Sequence, residues 1–476
     1  MKVKKLTLVV ASLVALVLLY IVTVAFRLYG FKFKTPSELT EDETLLLTET
    51  LNKVSPNRNA LTKKLPYATV PARLTVASES AIVIDSASGS VLFEKNADNI
   101  IPPASMTKIA VMYVVMQELQ AGSFSLDTIV PLPKECWAST MMAHSSLMFL
   151  GKDQIVTVEE LLTGLAVCSG NDAAYALAFF ISGSMEKFIE RMNSEMKTLG
   201  LTKTRFVESS GYSEKNTTTA REMASLARAY ISRFPETLSR FHSVLSFTYP
   251  KEKNLPASEH GKVHTQDFSH GLPDFITMGI TQQNTNSLLG KLSGCDGLKT
   301  GYIDESGYNL TLTCHRGETR FISVTLKGPG KNTLEGNRTR ENDGRTIMEW
   351  AFAHFATYKK NEAVHAYRIP VTSGNTQWVR LVPLYDFTAL TVPFIAGETP
   401  SDSANNVVVR IDFPRVIDGG TYVGKAYGSI SFSLAGKTLE TIPLCADRTI
   451  KKANLFVRLA DLLPRALLQK RDNADN

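Results

Sequence analysis

A hydroxyl and an amine stand three residues apart at Ser105 and Lys108, and such a pair can hydrolyse an amide bond. Residues three apart in a helix share one face, so the amine can accept the hydroxyl proton while the oxygen attacks a carbonyl carbon. Residues 109–119 are almost all apolar, which predicts a helix buried on every side. The sequence therefore predicts a nucleophile and its base at the first turn of a buried helix.

The spacing alone is common, because a helix-capping serine followed by a surface lysine gives the same pattern. It recurs twice in this chain, at residues 184–187 and 194–197, where the surrounding sequence is polar and amphipathic. A solvated helix face is the better interpretation of those two copies. Only the copy at Ser105 begins a fully apolar helix.

Two further polar clusters interrupt apolar sequence. Ser169 and Asn171 fall between two helical segments, where a loop can direct a hydroxyl and an amide into one cleft. Lys299, Thr300 and Gly301 follow one another in a segment with strand character, and the glycine leaves backbone accessible to an incoming peptide. Ser-x-Asn occurs elsewhere in the chain, whereas Lys-Thr-Gly occurs once.

The segments that carry these residues indicate an α+β domain with an antiparallel sheet and helices. Two strands joined by a tight turn come before a helical block and three strands follow it, at 81–85, 91–94, 296–302, 308–314 and 319–326. The predicted helices beyond the one at Ser105 include 158–167, 172–181, 185–199 and 345–358. We expect the first hairpin beside the late strands, with the apolar helix behind them.

Length and composition are those of an ordinary globular protein. The 476 residues, 44% hydrophobic and 21% charged, predict two to three domains of about 150 residues each. The net charge of +6 is scattered, which disfavours nucleic acid as a partner. The predicted parts are a signal-anchor or signal peptide at 1–27, a stalk at 28–75, the α+β domain at 76–360, a small all-β domain at 361–452 and an amphipathic membrane-associating helix with its tail at 453–476.

Three lysines precede a stretch without charge, residues 6–26, which is long enough to cross a bilayer. A span needs about 20 apolar residues. A removable signal peptide is the alternative, because Thr23, Val24 and Ala25 offer a small-residue cleavage site. The length favours an uncleaved anchor with its N-terminus in the cytoplasm. With either an anchor or a signal peptide, the rest of the chain is exported.

The end of the chain has a wide apolar helix face. Residues 454–470 combine it with basic residues, which predicts a helix lying in a membrane interface; packing onto the protein's own surface is the alternative. Pro464 disfavours one continuous helix, so we expect a kink or two short helices there.

The five cysteines are an odd number, so at least one thiol is unpaired. If the strands around Cys295 and Cys314 form a hairpin, these residues face each other, and export would permit a disulfide. The alternative is a pair of small apolar side chains in contact.

Together, Ser-x-x-Lys on a helix, Ser-x-Asn in a loop and Lys-Thr-Gly on a strand resemble the signature of the penicillin-recognising serine enzymes. The likeness extends to residues 89–105, 209–224 and 296–310, and to a β-rich part followed by an amphipathic helix. The chain is identified as a member of the low-molecular-mass penicillin-binding proteins, the D-alanyl-D-alanine carboxypeptidases of the DacA type. The likeness runs from Ser78 to the tail.

The resemblance implies a β-lactamase and transpeptidase-like catalytic domain and three catalytic residues. Ser105 would attack the carbonyl of the penultimate D-alanine, with Lys108 taking its proton. Ser169 would relay a proton to the departing amine. Lys108 can act as a base near neutral pH only if burial and the positive end of its helix lower its pKa.

The resemblance also implies a set of substrate-binding residues. Asn171 would hold the substrate amide, and Lys299 with Thr300 would bind the terminal carboxylate. Gly301 belongs to the strand along which the peptide would lie, and the backbone N–H of Tyr302 would form an oxyanion hole with that of the nucleophile.

Two departures from the family pattern bear on substrate preference. The position after Lys-Thr-Gly is often histidine in this family and is Tyr302 here. The middle segment reads Ser209-Ser210-Gly211-Tyr212 where the family usually has His-Gly-Leu.

Three other functions stay open from the sequence. A β-lactamase needs a carboxylate to activate water, and only Glu208 is available in the matching region. A non-catalytic β-lactam-binding envelope protein and an endopeptidase acting on cross-links are the others. No metal or other cofactor is expected, because His260, His264 and His270 lack acidic or thiol companions.

The resemblance implies partners and a location. The substrates would be peptidoglycan stem peptides ending in D-Ala-D-Ala, and β-lactams would be covalent inhibitors. The protein would act in cell-wall synthesis and cell shape. It would sit at the cell membrane, with its catalytic domain on the periplasmic side and its tail on the membrane surface.

Overall fold

The computed structural model describes residues 2–30, 40–54, 61–69, 72–359, 366–384, 389–393 and 406–472. The chain divides into two compact units. The first comprises Met1–Ala60, Tyr358–Leu390 and Asp402–Asn476, and the second comprises Leu61–Thr357 and Thr391–Ser401. Of the predicted stalk and tail, residues 31–39, 55–60, 70–71 and 473–476 lie outside the described residues.

Ten α-helices are described in these ranges. They are α1 (Lys2–Gly30), α2 (Glu41–Val54), α3 (Lys108–Gln120), α4 (Val158–Val167), α5 (Asn171–Ser182), α6 (Met185–Thr198), α7 (Ala220–Arg233), α8 (Thr333–His354), α9 (Leu455–Ala460) and α10 (Leu462–Asp472).

The described strands number eighteen. They are β1 (Lys63–Lys64), β2 (Ser80–Asp85), β3 (Ser90–Lys95), β4 (Ile129–Val130), β5 (Val156–Thr157), β6 (Ser246–Tyr249), β7 (Ile280–Gln283), β8 (Cys295–Ile303), β9 (Gly307–Arg316), β10 (Thr319–Gly328), β11 (Phe355–Lys359), β12 (Tyr367–Thr372), β13 (Trp378–Pro383), β14 (Ala389–Pro393), β15 (Val408–Asp412), β16 (Ile417–Asp418), β17 (Ala426–Leu434) and β18 (Lys437–Ala446).

A six-stranded sheet in the order β1-β3-β2-β10-β9-β8 forms the centre of the second unit. Its neighbouring strands are antiparallel except for the short pair β1 and β3. The first hairpin therefore lies beside the late strands, as predicted, and the α+β fold class is confirmed. Strand β8, which carries the Lys-Thr-Gly motif, lies at an edge of this sheet.

Helix α3 is buried from its first residue, Lys108, to Met116. It packs against α5, α6 and α7 in one large apolar core. A helix that is apolar on all faces has no surface to offer to water, so it is covered on every side. The prediction of a buried helix after Ser105 is confirmed.

Helix α8 begins earlier than the sequence predicts. The side chain of Asn332 accepts a hydrogen bond from the backbone N–H of Glu335 at 3.0 Å and so caps a helix that starts at Thr333 rather than at residue 345. The first half of this helix is polar, so it lacks the apolar periodicity by which a helix is predicted from sequence. The predicted end is also displaced, because Phe355–Lys359 forms strand β11.

The first unit contains a second six-stranded sheet, in the order β15-β17-β18-β13-β12-β16. It corresponds to the predicted all-β region. Pro464 is the third residue of α10, where a missing N–H costs little, and the two short helices α9 and α10 are as predicted. In α1, residues Leu8–Arg27 have a mean hydropathy of 2.8 and by length and composition could cross a membrane.

Cys295 and Cys314 are register partners across β8 and β9, as the hairpin prediction requires. The N–H of His315 donates to the carbonyl oxygen of Gly294 at 2.9 Å, which makes the cysteines a non-hydrogen-bonded pair. Such pairs bring the two side chains closest together. Both thiols are free in this structure.

Candidate active site

Ser105 lies in a short 3-10 turn, Ala104–Thr107, immediately before α3 rather than inside it. The turn is entered through a left-handed Ala104, whose φ is +49°. Ser105 is half-buried, whereas the residues on either side of it are buried. The backbone thus leaves this one side chain of the turn partly accessible.

Two glycines allow neighbouring segments to pack directly on this turn. A Cβ atom on Gly211 would stand 1.9 Å from the carbonyl oxygen of Ala104, and one on Gly301 would stand 2.7 Å from that of Pro103. Both distances are far below a van der Waals contact. Gly301 of the Lys-Thr-Gly motif is therefore required so that β8 can lie against the turn that carries Ser105.

The side chain of Lys108 joins the first two motifs. Its Nζ atom lies 3.0 Å from Ser105 Oγ, and it donates to Asn171 Oδ1 at 2.8 Å and to the carbonyl oxygen of Ser210 at 2.5 Å. All three contacts are made by an amine that is fully buried. The structure therefore brings the predicted nucleophile, base and amide together.

The pKa of Lys108 is lowered from 10.5 to about 7. Burial is the main cause, because removing water disfavours the charged amine. The negative charges of Glu208 and Asp172 oppose this effect only in part. Close to half of the Lys108 amines are neutral at pH 7, and a neutral amine can accept the Ser105 proton.

The Ser-x-Asn loop connects α4 and α5. Ser169 is buried and left-handed, with a φ of +59°, and Asn171 is the first residue of α5. The next residue, Asp172, accepts hydrogen bonds from the backbone N–H groups of Met148 at 2.8 Å and of Leu150 at 3.0 Å. Sequence reasoning gave Asp172 no role, although an acidic residue in the first turn of a helix is a recognisable signal.

Glu208 holds the loop that faces Lys108. Its carboxylate accepts from the N–H groups of Ser210 and Gly211, both at 2.7 Å, and from Asn216 Nδ2 at 2.9 Å. These bonds direct the Ser210 carbonyl toward the Lys108 amine. Because these bonds occupy the carboxylate oxygens of Glu208, the β-lactamase alternative is weakened.

Lys299 lies on β8 and is almost fully buried. Its Nζ donates to the carbonyl oxygen of Thr300 at 3.2 Å, and the Thr300 hydroxyl contacts that of Thr285 at 2.8 Å. The pKa of Lys299 lies well below its usual value, first because of burial and then because of the positive charges of Lys108 and Arg340. The lysines of the first and third motifs therefore share one electrostatic environment.

Arg340 is a buried cation that the motif search missed. It lies on α8, and its Nη2 donates to the carbonyl oxygen of Thr285 at 3.4 Å. Burial lowers its pKa to about 10, and no ion pair to it occurs among the residues described. Two repelling cations, Arg340 and Lys299, mark a place suited to an anionic group. No local pattern in a polar helix distinguishes this arginine from its neighbours.

The backbone of β8 is open on the side away from β9. The carbonyl oxygen of Leu298 accepts a hydrogen bond from His242 Nδ1 at 3.1 Å, and the carbonyl oxygen of Thr300 accepts one from Lys299 Nζ. Both carbonyl groups therefore face the edge of β8 that points away from β9. Residues two apart on a strand face the same way, which directs the N–H of Tyr302 to the open edge. The Tyr302 side chain is half-exposed and donates to Asp304 at 2.6 Å.

A cavity of about 400 Å³ opens next to the Lys108 contacts. Asn171 and Ser210 form part of its wall, together with Glu135, Met142 and Tyr175. A cleft of this size, bordered by Asn171 and Ser210, has room for a short peptide.

The other Ser-x-x-Lys copies have the structural role expected of them. Ser184 is the N-cap of α6, and its Oγ accepts from the backbone N–H of Lys187 at 3.3 Å. The copy at 194–197 lies within the same amphipathic helix. Neither copy meets the loop or the strand that completes the site at Ser105.

Comparison with known proteins yields one family. A family model described as D-alanyl-D-alanine carboxypeptidase matches residues 67–330. The chain is 32% identical to D-alanyl-D-alanine carboxypeptidase DacA of Escherichia coli over 399 residues, which are 83% of this chain and 89% of the relative. It is 29% identical to DacF of Bacillus subtilis over 386 residues, 80% of this chain and 88% of the relative. Penicillin binding protein 5 from Haemophilus influenzae has a similar structure, with a TM-score of 0.64 and 27% identity, covering 81% of this chain and 100% of that protein.

Proposed function

The chain belongs to the D-alanyl-D-alanine carboxypeptidase family of serine peptidases, and from this premise we propose how its residues divide the reaction. The protein is a serine-type D-Ala-D-Ala carboxypeptidase that removes the terminal D-alanine of peptidoglycan stem peptides. The observation that carries the proposal is the contact of Lys108 Nζ with Ser105 Oγ at 3.0 Å in surroundings that lower the lysine pKa to about 7.

In the acylation step, Ser105 Oγ attacks the carbonyl carbon between the last two D-alanines, and the neutral Lys108 takes the hydroxyl proton. The carbonyl oxygen becomes an oxyanion, which the N–H groups of Ser105 and Tyr302 stabilise. The open edge of β8 supports this role for Tyr302. The carbon–nitrogen bond then breaks, and the proton that Lys108 took passes through Ser169 to the departing D-alanine nitrogen.

In the deacylation step, a water molecule attacks the ester carbonyl and restores Ser105. The amine of Lys108, whose Nζ lies 3.0 Å from Ser105 Oγ, takes a proton of the water and passes it to Ser105 Oγ as the ester bond breaks. Glu208 does not serve here, because its oxygens accept the bonds that hold the Ser210 loop. A β-lactam acylates the same Ser105 oxygen, because its ring presents an amide carbonyl that ring strain makes reactive.

Substrate binding uses the edge of β8 and two buried cations. The peptide lies along Lys299, Thr300 and Gly301, and Asn171 holds its amide. The terminal carboxylate binds near Lys299 and Arg340, where an anion offsets the repulsion between two positive charges. A site built for a chain end favours a carboxypeptidase over an endopeptidase.

The proposed location is the cell membrane with the second unit on the extracytoplasmic side. The three lysines that precede the apolar part of α1 favour a cytoplasmic N-terminus and therefore export of the chain beyond this helix. Peptidoglycan lies on that side of the membrane, so the substrate is accessible to the exported unit.

The test is release of D-alanine from a peptide that ends in D-Ala-D-Ala. We expect each molecule of the native protein to release many D-alanine molecules. The Ser105→Ala variant should keep the native melting temperature, but it should release no D-alanine and should not be labelled by a fluorescent penicillin. Single-turnover release would indicate a β-lactam-binding protein instead. Hydrolysis of penicillin faster than hydrolysis of the peptide would indicate a β-lactamase.

A further inference from the structure

The first and last helices of the chain meet through a buried ion pair. The Arg27 guanidinium donates from Nε to Asp461 Oδ1 at 2.7 Å and from Nη2 to Oδ2. The same carboxylate accepts from the backbone N–H of Ser373 at 2.7 Å. Arg27 is 8% exposed and Asp461 is 1% exposed. Residues from opposite ends of the sequence thus form a bidentate contact that excludes water.

One narrow stripe of α1 makes this contact. Tyr20, Thr23, Val24 and Arg27 are covered, and they follow the spacing of one helix face. The Tyr20 hydroxyl donates to the carbonyl oxygen of Leu459 at 3.4 Å. The other residues from Leu8 to Phe26 are exposed. Protein therefore covers only the last two turns of the candidate span.

In a surface helix of a soluble protein the apolar face is buried and the polar face is exposed. In the C-terminal helices α9 and α10 the large apolar side chains are the exposed ones. The buried, inward-facing residues are the small Ala460, the charged Asp461 and Pro464, which lacks an N–H. The exposed side chains include the basic Arg458 and six large apolar ones, namely Leu455, Phe456, Leu459, Leu462, Leu463 and Leu467. Both helices contact α1, and an apolar face of this kind fits lipid as its occupant.

The helix geometry sets the depth of the contact. At about 1.5 Å per residue, the segment Leu8–Arg27 is about 30 Å long, which matches the hydrocarbon core of a bilayer. The stripe from Tyr20 to Arg27 occupies roughly the last 10 Å of it. Interfacial helices lie at about this depth, 5 to 10 Å into the boundary of headgroups and acyl chains. Arg27 ends this span, and its charge is paired there with that of Asp461.

We propose that α1 is retained in the working protein and forms, with α9 and α10, a single membrane anchor locked by the pair of Arg27 and Asp461. The two ends of the chain then enter the membrane at one place. Cleavage after Ala25 would remove most of the covered stripe and leave the Asp461 carboxylate without a helix to hold its partner. This inference concerns anchoring and does not depend on the peptidase chemistry.

The experiment uses the full chain with a C-terminal tag and a site for a specific protease inserted between Gly30 and Thr40. The mass of the protein taken from membranes should include Met1. After solubilisation in mild detergent and cutting at the inserted site, the α1 fragment should be captured with the tag. Recovery should fall about tenfold or more in Arg27→Gln and in Asp461→Asn, because each removes a charge-assisted contact.

Two controls make the result specific. Arg458→Gln removes an exposed arginine of α9 and should leave recovery unchanged. The double exchange of Arg27→Asp with Asp461→Arg should recover more fragment than either single variant, which separates loss of the pair from misfolding. Labelling of Ser105 by penicillin reports separately on the catalytic unit.

Three outcomes would overturn the inference. A mature protein that begins after Ala25 would show that α1 is a removed signal peptide. Equal recovery of the fragment from Asp461→Asn and from the native chain would show that the ion pair does not hold α1 to the C-terminal helices. Equal recovery of the fragment from Arg27→Gln and from the native chain would exclude the ion pair as the cause.

Discussion

Acylation of Ser105 by penicillin should become faster as the pH rises through about 7, because Lys108 can take the proton only when it is neutral. With a pKa of about 7, roughly one tenth of the amine is neutral at pH 6 and roughly nine tenths at pH 8. The rate constant should therefore increase about tenfold over that interval and then level off. A lysine at the ordinary pKa of 10.5 would be only about 0.3% neutral at pH 8.

The assay is the second-order rate constant for labelling by a fluorescent penicillin between pH 5.5 and 9 at constant ionic strength. The penicillin carboxylate stays ionised over this range, so the charge of the ligand does not change. A decline above the plateau would report loss of charge on Lys299, whose pKa is also lowered. A flat profile, or a tenfold rise with every pH unit up to pH 9, would refute the assignment of Lys108 as the base.

A substitution near the base sharpens the same test. The charge of Glu208 raises the pKa of Lys108, so Glu208→Gln should move the midpoint of the pH profile to lower pH. Glu214→Gln, an exposed glutamate in the same loop, is the matched control and should leave the midpoint in place. The midpoint is the informative quantity, because a disturbed loop would lower the rate at every pH without moving it. An unmoved midpoint in Glu208→Gln would contradict this electrostatic explanation.

Two other predictions concern the carboxylate site and the cysteines. Lys299→Ala should lower kcat/KM about 10- to 100-fold for a peptide with a free carboxylate and change it little for the same peptide capped as an amide. Arg340→Gln should show the same selectivity, and equal losses on both peptides would remove the carboxylate role. Oxidised protein should yield a tryptic product in which a disulfide between Cys295 and Cys314 joins residues 292–299 to 300–316. Reduction of this disulfide should lower the melting temperature of the protein, because a bridge over so short a loop contributes about 3 kcal/mol to the free energy of unfolding. Alkylation of both thiols in denatured, unreduced protein from the exported fraction would contradict this.

Much of the site could be predicted because its chemistry restricts residue type and local spacing. Ser105 in the 3-10 turn and Lys108 at the start of α3 are only three residues apart, so their meeting depends on local geometry that the sequence encodes directly. The same holds for the hairpin of β8 and β9, whose turn sets the register that brings Cys295 opposite Cys314. Three motifs in the right order then indicate the family.

The sequence did not reveal the groups that tune and complete the site. The lowered pKa of Lys108 depends on burial by residues far along the chain, and the Ser210 carbonyl reaches the lysine only because Glu208 organises its own loop. Arg340 belongs to a polar helix in which each charged residue has a similar local context. Its place near Lys299 depends on how α8 packs.

The sequence by itself determined which local elements form and which reactive groups they carry, because periodicity, capping and turn chemistry act over a few residues. Only the tertiary structure decided which distant polar groups share a dry environment, because burial and pairing depend on the whole packing arrangement. The two ends of the chain illustrate the difference. An apolar first helix and an amphipathic tail were both predicted, but the pairing of Arg27 with Asp461 appears only when the helices meet and exclude water around two opposite charges.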